Sequence, residues 1–144
     1  MTERIVVTGM GCISAAGKNL DDFEKSIFSS EPIDTIKPIS LFQSNGVSQY
    51  IAAEVNDYRS EEHFSKNELK LLDRYAQFAL ISARVAISDA NINFELEKAS
   101  RISVVHGSSI GGQETIETSY AQLFEQHKTR AHPFTVPKLL PSAA

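Results

Sequence analysis

The stretch from Arg101 to Gly112, RISVVHGSSIGG, decides how the fold of this chain is interpreted. The β-branched run from Ile102 to Val105 has the composition of a buried strand. A turn of small residues starts at Gly107, and a helical pattern begins directly after it, at Gln113. Strand, glycine-rich turn and helix is the arrangement in which α/β proteins place a ligand at the carboxyl end of a strand. Ile110 is the one bulky apolar side chain in the turn, which predicts a pocket wall.

Composition and charge exclude several classes of protein. The chain has 144 residues, enough for one domain, with 42% hydrophobic and 22% charged residues and a net charge of −4. This mildly acidic balance gives no electrostatic reason to expect nucleic acid or an anionic membrane as a partner. No apolar run approaches the roughly 20 residues that span a bilayer. A single cysteine, Cys12, excludes an internal disulfide and fits a reducing compartment, so we expect the cytoplasm.

A second strand is predicted at residues 5–9, and the Gly9-Met10-Gly11 turn follows it. Gly-x-Gly after a strand is the beginning of a dinucleotide-binding fingerprint. The fingerprint also needs a third glycine at position 14, which is Ser14 here, and a helix that opens at the turn. The pattern therefore favours a structural tight turn, with dinucleotide binding as the alternative.

Three amphipathic helices are predicted. The first follows a cap at Asn19 and runs to Phe28. The second begins with a capping box, Ser65 with Glu68, and continues as one helix to about Ala90. Its middle is expected to be buried on most sides, and alanines spaced by three or four residues would let another backbone approach closely. The third helix starts at Gln113 and carries apolar residues as far as Phe124.

The remaining signals are weaker. The segment 51–55 is the one plausible strand between residues 33 and 58, in an edge hairpin. The prolines from Pro133 onward predict an extended segment and then a helix that starts at Pro141. Strands at 5–9, 51–55 and 102–107 make a small sheet, and two of them are apolar runs typical of strands covered on both faces. So few helices cannot cover both faces, which indicates the front part of a larger domain.

Four separated motifs, taken together, resemble the β-ketoacyl-acyl-carrier-protein synthases, and most of all the elongating type II enzymes of bacterial fatty-acid synthesis. The likeness runs from Arg4 to Ala144 in the order and spacing of the family. The Gly-x-Gly turn is then the loop after the first strand of the family. The motifs are Val6-Val7-Thr8-Gly9-Met10-Gly11, Asp73-Arg74-Tyr75-Ala76-Gln77-Phe78-Ala79, Gly107-Ser108-Ser109-Ile110-Gly111-Gly112 and Pro133-Phe134-Thr135-Val136-Pro137.

The resemblance implies an α/β, thiolase-like fold, a mixed sheet between helices, of which residues 1–144 are an incomplete N-terminal half. It implies a homodimer, or a heterodimer with a related ketosynthase chain, and an acyltransferase that needs no cofactor and no metal. The reaction of the family is a decarboxylating Claisen condensation of an acyl thioester with malonyl-carrier protein. A thiolate at a helix start and backbone N–H donors suit that chemistry.

The resemblance carries no catalytic residue onto this sequence, because the cysteine, two histidines and lysine of the family lie beyond Ala144. The segment alone is therefore not expected to catalyse condensation. Acyl carrier protein is the implied partner, docking on a basic helix face at Lys66 and Lys70. The implied acyl-pocket residues are Gly107, Ser109, Ile110, Phe134 and Thr135.

Three functional hypotheses stay open. The first is the amino-terminal part of an active ketosynthase. The second is a non-catalytic relative, such as a chain-length-factor-like subunit or a remnant, which is suggested by Thr135 where many relatives have a second aromatic residue. The third is the dinucleotide-binding domain. Cys12 matches no nucleophile of the family, and His106, at the strand end, is expected to make packing or local hydrogen-bond contacts rather than to touch substrate.

Overall fold

The computed structural model describes residues 4–31, 34–40 and 50–143, which contain one 16-residue helix and several shorter ones. Its only β-sheet within these ranges is a two-stranded antiparallel hairpin. The elements in chain order are α1 (Leu20–Phe28), β1 (Ile36–Pro38), β2 (Ile51–Ala53), α2 (Lys66–Leu69), α3 (Arg74–Asp89), α4 (Gln113–Phe124) and α5 (Thr135–Leu139), with 3₁₀ turns at Ser60–Glu62, Ala99–Arg101 and Pro141–Ala143.

Local signals placed the first helix and the hairpin correctly. Asn19 caps α1, because its side chain accepts a hydrogen bond from the Asp22 backbone N–H at 2.8 Å. The strand predicted at 51–55 is confirmed as β2, which pairs with β1 so that Ile36 faces Ala53 and Pro38 faces Ile51. The residues that join the two strands, 41–49, lie outside the described ranges.

The prediction of one helix from Ser65 to Ala90 is wrong. The capping box is present, with the Ser65 side chain accepting from the Glu68 N–H and Glu68 accepting from the Ser65 N–H. However, α2 ends at Leu69, and α3 begins only after Asp73, which has extended backbone angles of φ −75° and ψ 164°. At this break the Asp73 carboxylate accepts hydrogen bonds from Thr115, in another helix.

The alanine-rich face of α3 receives the Gly9–Gly11 segment, and the alanine spacing predicted such a close backbone neighbour. A Cβ on Gly11 would lie 2.1 Å from the Ser82 carbonyl oxygen, and one on Gly9 would lie 2.2 Å from that of Ala86. The Met10 backbone N–H also donates to Asp89 Oδ2 at 2.9 Å. The two glycines are therefore used for close backbone contact with a helix, whereas the tight turn predicted here is not observed, because residues 9–13 form neither a turn nor a bend.

The strands predicted at 5–9 and 102–107 do not form in this structure. Both segments are irregular, and Ile5 and Val105 are 99% and 96% exposed. A strand needs a neighbour to accept and donate its backbone hydrogen bonds, and no described strand lies beside either segment. The sequence therefore indicated apolar segments correctly, but their burial on both faces is not observed here.

The C-terminal segment also differs from its prediction. Residues 135–139, predicted to be extended, form α5, while Pro141 begins only a 3₁₀ turn. Pro137 is tolerated because it lies in the first turn of α5, where a backbone N–H has no partner within the helix.

Burial in the described residues is concentrated around the start of α3. Phe64, Ala76 and Ile81 form the buried apolar centre, next to the buried side chains of Asp73 and Gln77. The second half of α3 is largely exposed, so the expectation that its middle is covered on most sides holds only near Ala76 and Ile81. None of the described helices is both long and apolar enough to cross a bilayer.

Candidate functional site

The turn from Gly107 to Gly112 is shaped by its last two residues. Gly111 has a φ of +75°, which favours glycine, and its N–H donates to Ser108 Oγ at 3.0 Å. A Cβ on Gly111 or Gly112 would lie within 2.5 Å of a carbonyl oxygen of α5. The turn therefore allows the end of α5 to approach it closely, and the Gly112 N–H donates to the Leu139 carbonyl oxygen at 3.3 Å.

The segment before the turn is tied to the same region. His106 Nδ1 lies 2.9 Å from the Pro141 carbonyl oxygen, and its ring stacks on Tyr75 with centroids 6.1 Å apart. The Tyr75 hydroxyl donates to the Leu140 carbonyl oxygen. His106 is thus engaged with packing and a local hydrogen bond, as expected from the sequence. These contacts hold α3, the 107–112 turn and the residues after α5 in one arrangement.

The predicted pocket residues are not gathered into one cavity by the described residues. Ile110 is 61% exposed and Phe134 is 42% exposed, while Gly107 and Ser109 are also exposed. The Phe134 ring packs against His132, with centroids 5.7 Å apart. Ile110 therefore presents its side chain outward, and its role as a pocket wall stays a prediction.

Thr135 lies instead on a polar cleft of about 560 Å³ between the start of α3 and the helices α4 and α5. Four cationic side chains reach this polar cleft, together with hydroxyl groups of α4. Two carboxylates, those of Asp73 and Glu114, lie among them. The cationic residues are Lys70, Arg74, Lys128 and Lys138.

Arg74 is held on the wall of this cleft by aromatic rings. Its guanidinium carbon lies 5.5 Å from the Tyr58 ring centre and 5.2 Å from that of Phe78, and it donates to the Val55 carbonyl oxygen. The Tyr58 hydroxyl donates to Gln77 Oε1 at 2.7 Å. Burial raises the pKa of Tyr58, and the positive charge of Arg74 opposes that rise.

Lys66 and Lys70, the predicted docking residues, are both exposed; Lys66 is the first residue of α2 and Lys70 directly follows its last residue. Lys70 Nζ donates to Asn67 Oδ1 at 3.1 Å. Glu68, between them, lies 3.6 Å from Arg84, and hydrogen bonds from Ser65 hold the pKa of Glu68 below its ordinary value. The two lysines therefore remain accessible to an acidic partner.

Asp73 is a residue whose role sequence reasoning missed. It is only 4% exposed, and its Oδ2 accepts hydrogen bonds from the backbone N–H and the hydroxyl of Thr115, at 2.8 and 2.5 Å. An aspartate directly before an apolar helical pattern is a typical N-cap. The prediction of one helix from Ser65 to Ala90 places Asp73 inside that helix, which conceals this signal.

Within the part of the chain that the structure describes, no group of three or more histidine, cysteine, aspartate or glutamate residues is arranged to hold a metal ion. Cys12 is a half-buried free thiol directly after Gly11.

Comparison with known proteins gives a consistent result. The family model "Beta-ketoacyl synthase, N-terminal domain" matches residues 2–144. A curated relative, 3-oxoacyl-(acyl-carrier-protein) synthase 2 of Staphylococcus aureus (strain COL), is 36% identical over 99% of this chain and 34% of its own length. The chain thus spans about a third of the length of the curated relatives it matches.

Solved structures agree on the fold. "The ishigamide ketosynthase/chain length factor" superposes with a TM-score of 0.79 at 22% identity, covering 94% of this chain and 33% of that one. A second structure is described as a type II PKS acyl-carrier protein in complex with its ketosynthase bound to the hexaketide. It superposes with a TM-score of 0.74 at 16% identity, covering 99% of this chain and 38% of that one. The backbone is therefore that of the N-terminal part of a thiolase-like fold.

Proposed function

The chain belongs to the β-ketoacyl synthase family, as its N-terminal domain, and we propose that the protein containing it is a β-ketoacyl-acyl-carrier-protein synthase of fatty-acid or related biosynthesis. The reaction is a decarboxylating Claisen condensation of an acyl thioester with malonyl-carrier protein. The observation that supports this most is the family match over residues 2–144, together with relatives named 3-oxoacyl-(acyl-carrier-protein) synthase 2.

In this proposal residues 1–144 supply one side of the acyl pocket and part of the subunit interface. The cysteine, the two histidines and the lysine come from sequence after Ala144. Ile110 forms part of the pocket wall, flanked by Gly107 and Ser109, and Phe134 and Thr135 close the pocket from a second subunit. The outward position of Ile110 and Phe134 supports this arrangement, since both are available to residues outside the described chain.

Acyl carrier protein is the proposed partner, and the complete protein acts as a dimer in the cytoplasm. Lys66 and Lys70 are exposed cations on one short helix, suited to an acidic protein surface. One structural neighbour is itself a ketosynthase in complex with an acyl-carrier protein.

The test uses the complete protein. It is incubated with an acyl-carrier protein that bears a fatty acyl group, and the protein is digested and analysed by mass spectrometry. We expect an acyl thioester on one cysteine other than Cys12, and release of a β-ketoacyl-carrier protein after malonyl-carrier protein is added. An intact, folded protein that neither becomes acylated nor forms this product would contradict the proposal.

The second candidate is a non-catalytic chain-length-factor-like subunit, which Thr135 favours because a small polar residue occupies a position that is aromatic in many relatives. The same assay separates the two. Such a subunit stays unacylated alone, and it changes the product length only when it is mixed with a related ketosynthase chain.

A further inference from the structure

Asp73 joins two helices rather than capping its own. It is the N-cap residue of α3, yet its side chain makes no capping hydrogen bond there. Its Oδ2 instead accepts from both the N–H and the hydroxyl of Thr115, which lies 42 residues away in the first turn of α4. A buried carboxylate is costly unless it is hydrogen-bonded, so the free energy of this group depends on where Thr115 lies.

The two sides of this link differ in how firmly they are held. The α3 side is fixed, because Ala76 and Ile81 are buried within the first two turns after Asp73. On the α4 side, the N–H groups of the first turn have no partners within the helix, and the carboxylate satisfies that of Thr115. The position of the α4 N-terminus therefore follows the position of Asp73.

The 107–112 turn is continuous with this N-terminus. The Gln113 N–H donates to the Gly111 carbonyl oxygen at 2.9 Å, and the Ile116 N–H donates to that of Gly112 at 3.0 Å. On its other side the turn is backed by α5, through Gly112 and Leu139. Ile110 stands directly before these two glycines, so its backbone has little freedom while both supports are in place.

We propose that Asp73 is a positioning residue for the acyl pocket: by holding Thr115, its carboxylate fixes the backbone of the 107–112 turn and hence the place of Ile110. This inference rests on the proposed function for its acyl substrate. The selection for acyl length then depends on the hydrogen bond from the Thr115 hydroxyl to Asp73 Oδ2, which lies away from the acyl chain. Without that bond the pocket wall at Ile110 is free to move, so kcat/KM for longer or bulkier acyl chains rises relative to kcat/KM for short ones.

The test compares Thr115→Val with Thr115→Ser in the complete protein. Valine has nearly the shape of threonine without the hydroxyl, and serine keeps the hydroxyl. Thr118→Val is the matched control, because it makes the same substitution at an exposed position of the same helix. The measured quantity is kcat/KM for a long acyl-carrier protein divided by kcat/KM for a short one.

We expect Thr115→Val to raise this ratio about threefold or more, and Thr115→Ser and Thr118→Val to leave it within about twofold of wild type. Hydrogen–deuterium exchange of the unliganded protein gives a second readout, with faster exchange in residues 107–117 of Thr115→Val alone. A purely structural role would lower stability and leave the ratio unchanged.

Failure of the positioning role of Asp73 and failure of the proposed function give different results in this experiment. An active wild type whose Thr115→Val variant keeps both the ratio and the exchange rates would overturn the positioning role of Asp73 while the proposed function stands. A wild type without condensing activity would overturn the proposed function and the acyl role of the turn together.

Discussion

Gly11 and Ser82 approach so closely that a Cβ on Gly11 would lie 2.1 Å from the Ser82 carbonyl oxygen. The obstacle is backbone of α3, which cannot move aside as a flexible side chain would. Gly9 meets Ala86 and Ala90 in the same way one turn further along α3. The N-terminal loop can thus lie directly on the long helix because its two glycines have no side chains and the facing residues of α3 are mostly small.

The first prediction is that Gly11→Ala destabilises the protein by about 2 kcal/mol or more, because the added methyl group overpacks a backbone contact. The measurement is urea denaturation followed by circular dichroism. Gly107→Ala is the control, since a Cβ there meets nothing within 4 Å, and its free energy of unfolding should stay within about 0.5 kcal/mol of wild type. Equal losses in both variants would contradict the close approach.

The second prediction concerns the pKa of Glu68 and the stability of the protein at low pH. Hydrogen bonds from Ser65 lower the pKa of Glu68 from its ordinary value of 4.5. Because the pKa of Glu68 is lowered in the folded state, the stabilisation by its ionised carboxylate is fully present above pH 4.5. This stabilisation is lost as the pH falls through the folded-state pKa. We expect NMR titration to give the Glu68 carboxyl a pKa below 4.5.

Ser65→Ala is the matched variant for this titration. It removes the hydroxyl but keeps the backbone N–H, so the pKa of Glu68 should move only part of the way back towards 4.5. A pKa of Glu68 at or above 4.5 in the wild-type protein would show that the capping box does not form in solution.

The third prediction concerns Lys66 and Lys70 as the proposed docking face for acyl-carrier protein. Replacing Lys66 and Lys70 together by glutamate should raise KM for acyl-carrier protein about tenfold with little change in kcat, because charges at a rim act mainly on encounter and affinity. The activity towards a small acyl-pantetheine thioester, which lacks the carrier protein, should be unchanged.

The double variant Lys25→Glu with Lys98→Glu is the charge-matched control for docking, since it makes the same change in net charge at two exposed lysines outside α2. If this variant weakens carrier binding as much as the α2 double variant, the effect is one of net charge and the docking face lies elsewhere.

The fourth prediction concerns Ile110. In the complete protein, Ile110→Phe should lower kcat/KM for long acyl chains about tenfold more than for short chains, because a larger wall residue shortens the space beside it. The matched control is Val136→Phe, at an exposed aliphatic position of α5. Equal effects on long and short substrates would place Ile110 outside the acyl pocket.

Sequence reasoning succeeded where the determining contacts are short-range. The Asn19 cap of α1 and the Ser65–Glu68 capping box each depend on residues three apart. The alanine spacing on α3 similarly implied a close backbone neighbour. The break before α3 had one short-range signal, an aspartate directly before an apolar helical pattern, but no local pattern indicates that the Asp73 side chain bonds to Thr115, 42 positions later.

The candidate site was predictable only in part. The glycine-rich turn and its position between an apolar segment and α4 followed from residues 101–113, and the family resemblance added the prediction that the turn lines an acyl pocket. The link to α5 could not be foreseen, since Gly112 and Leu139 meet through a hydrogen bond between residues 27 positions apart in the chain. Strands at 5–9 and 102–107 were expected from composition, but strand pairing requires neighbours that composition does not supply.

The exposed segments around Ile5 and Val105 bear on how the protein is made. Exposed β-branched segments with no neighbouring strand among the described residues can pair with another chain. In the proposed full-length ketosynthase these segments lack partner strands until the later sequence has been synthesised, so newly made molecules on one messenger can pair with each other. Production of the soluble protein should then fall at high expression rates and recover with a holdase chaperone or slower translation.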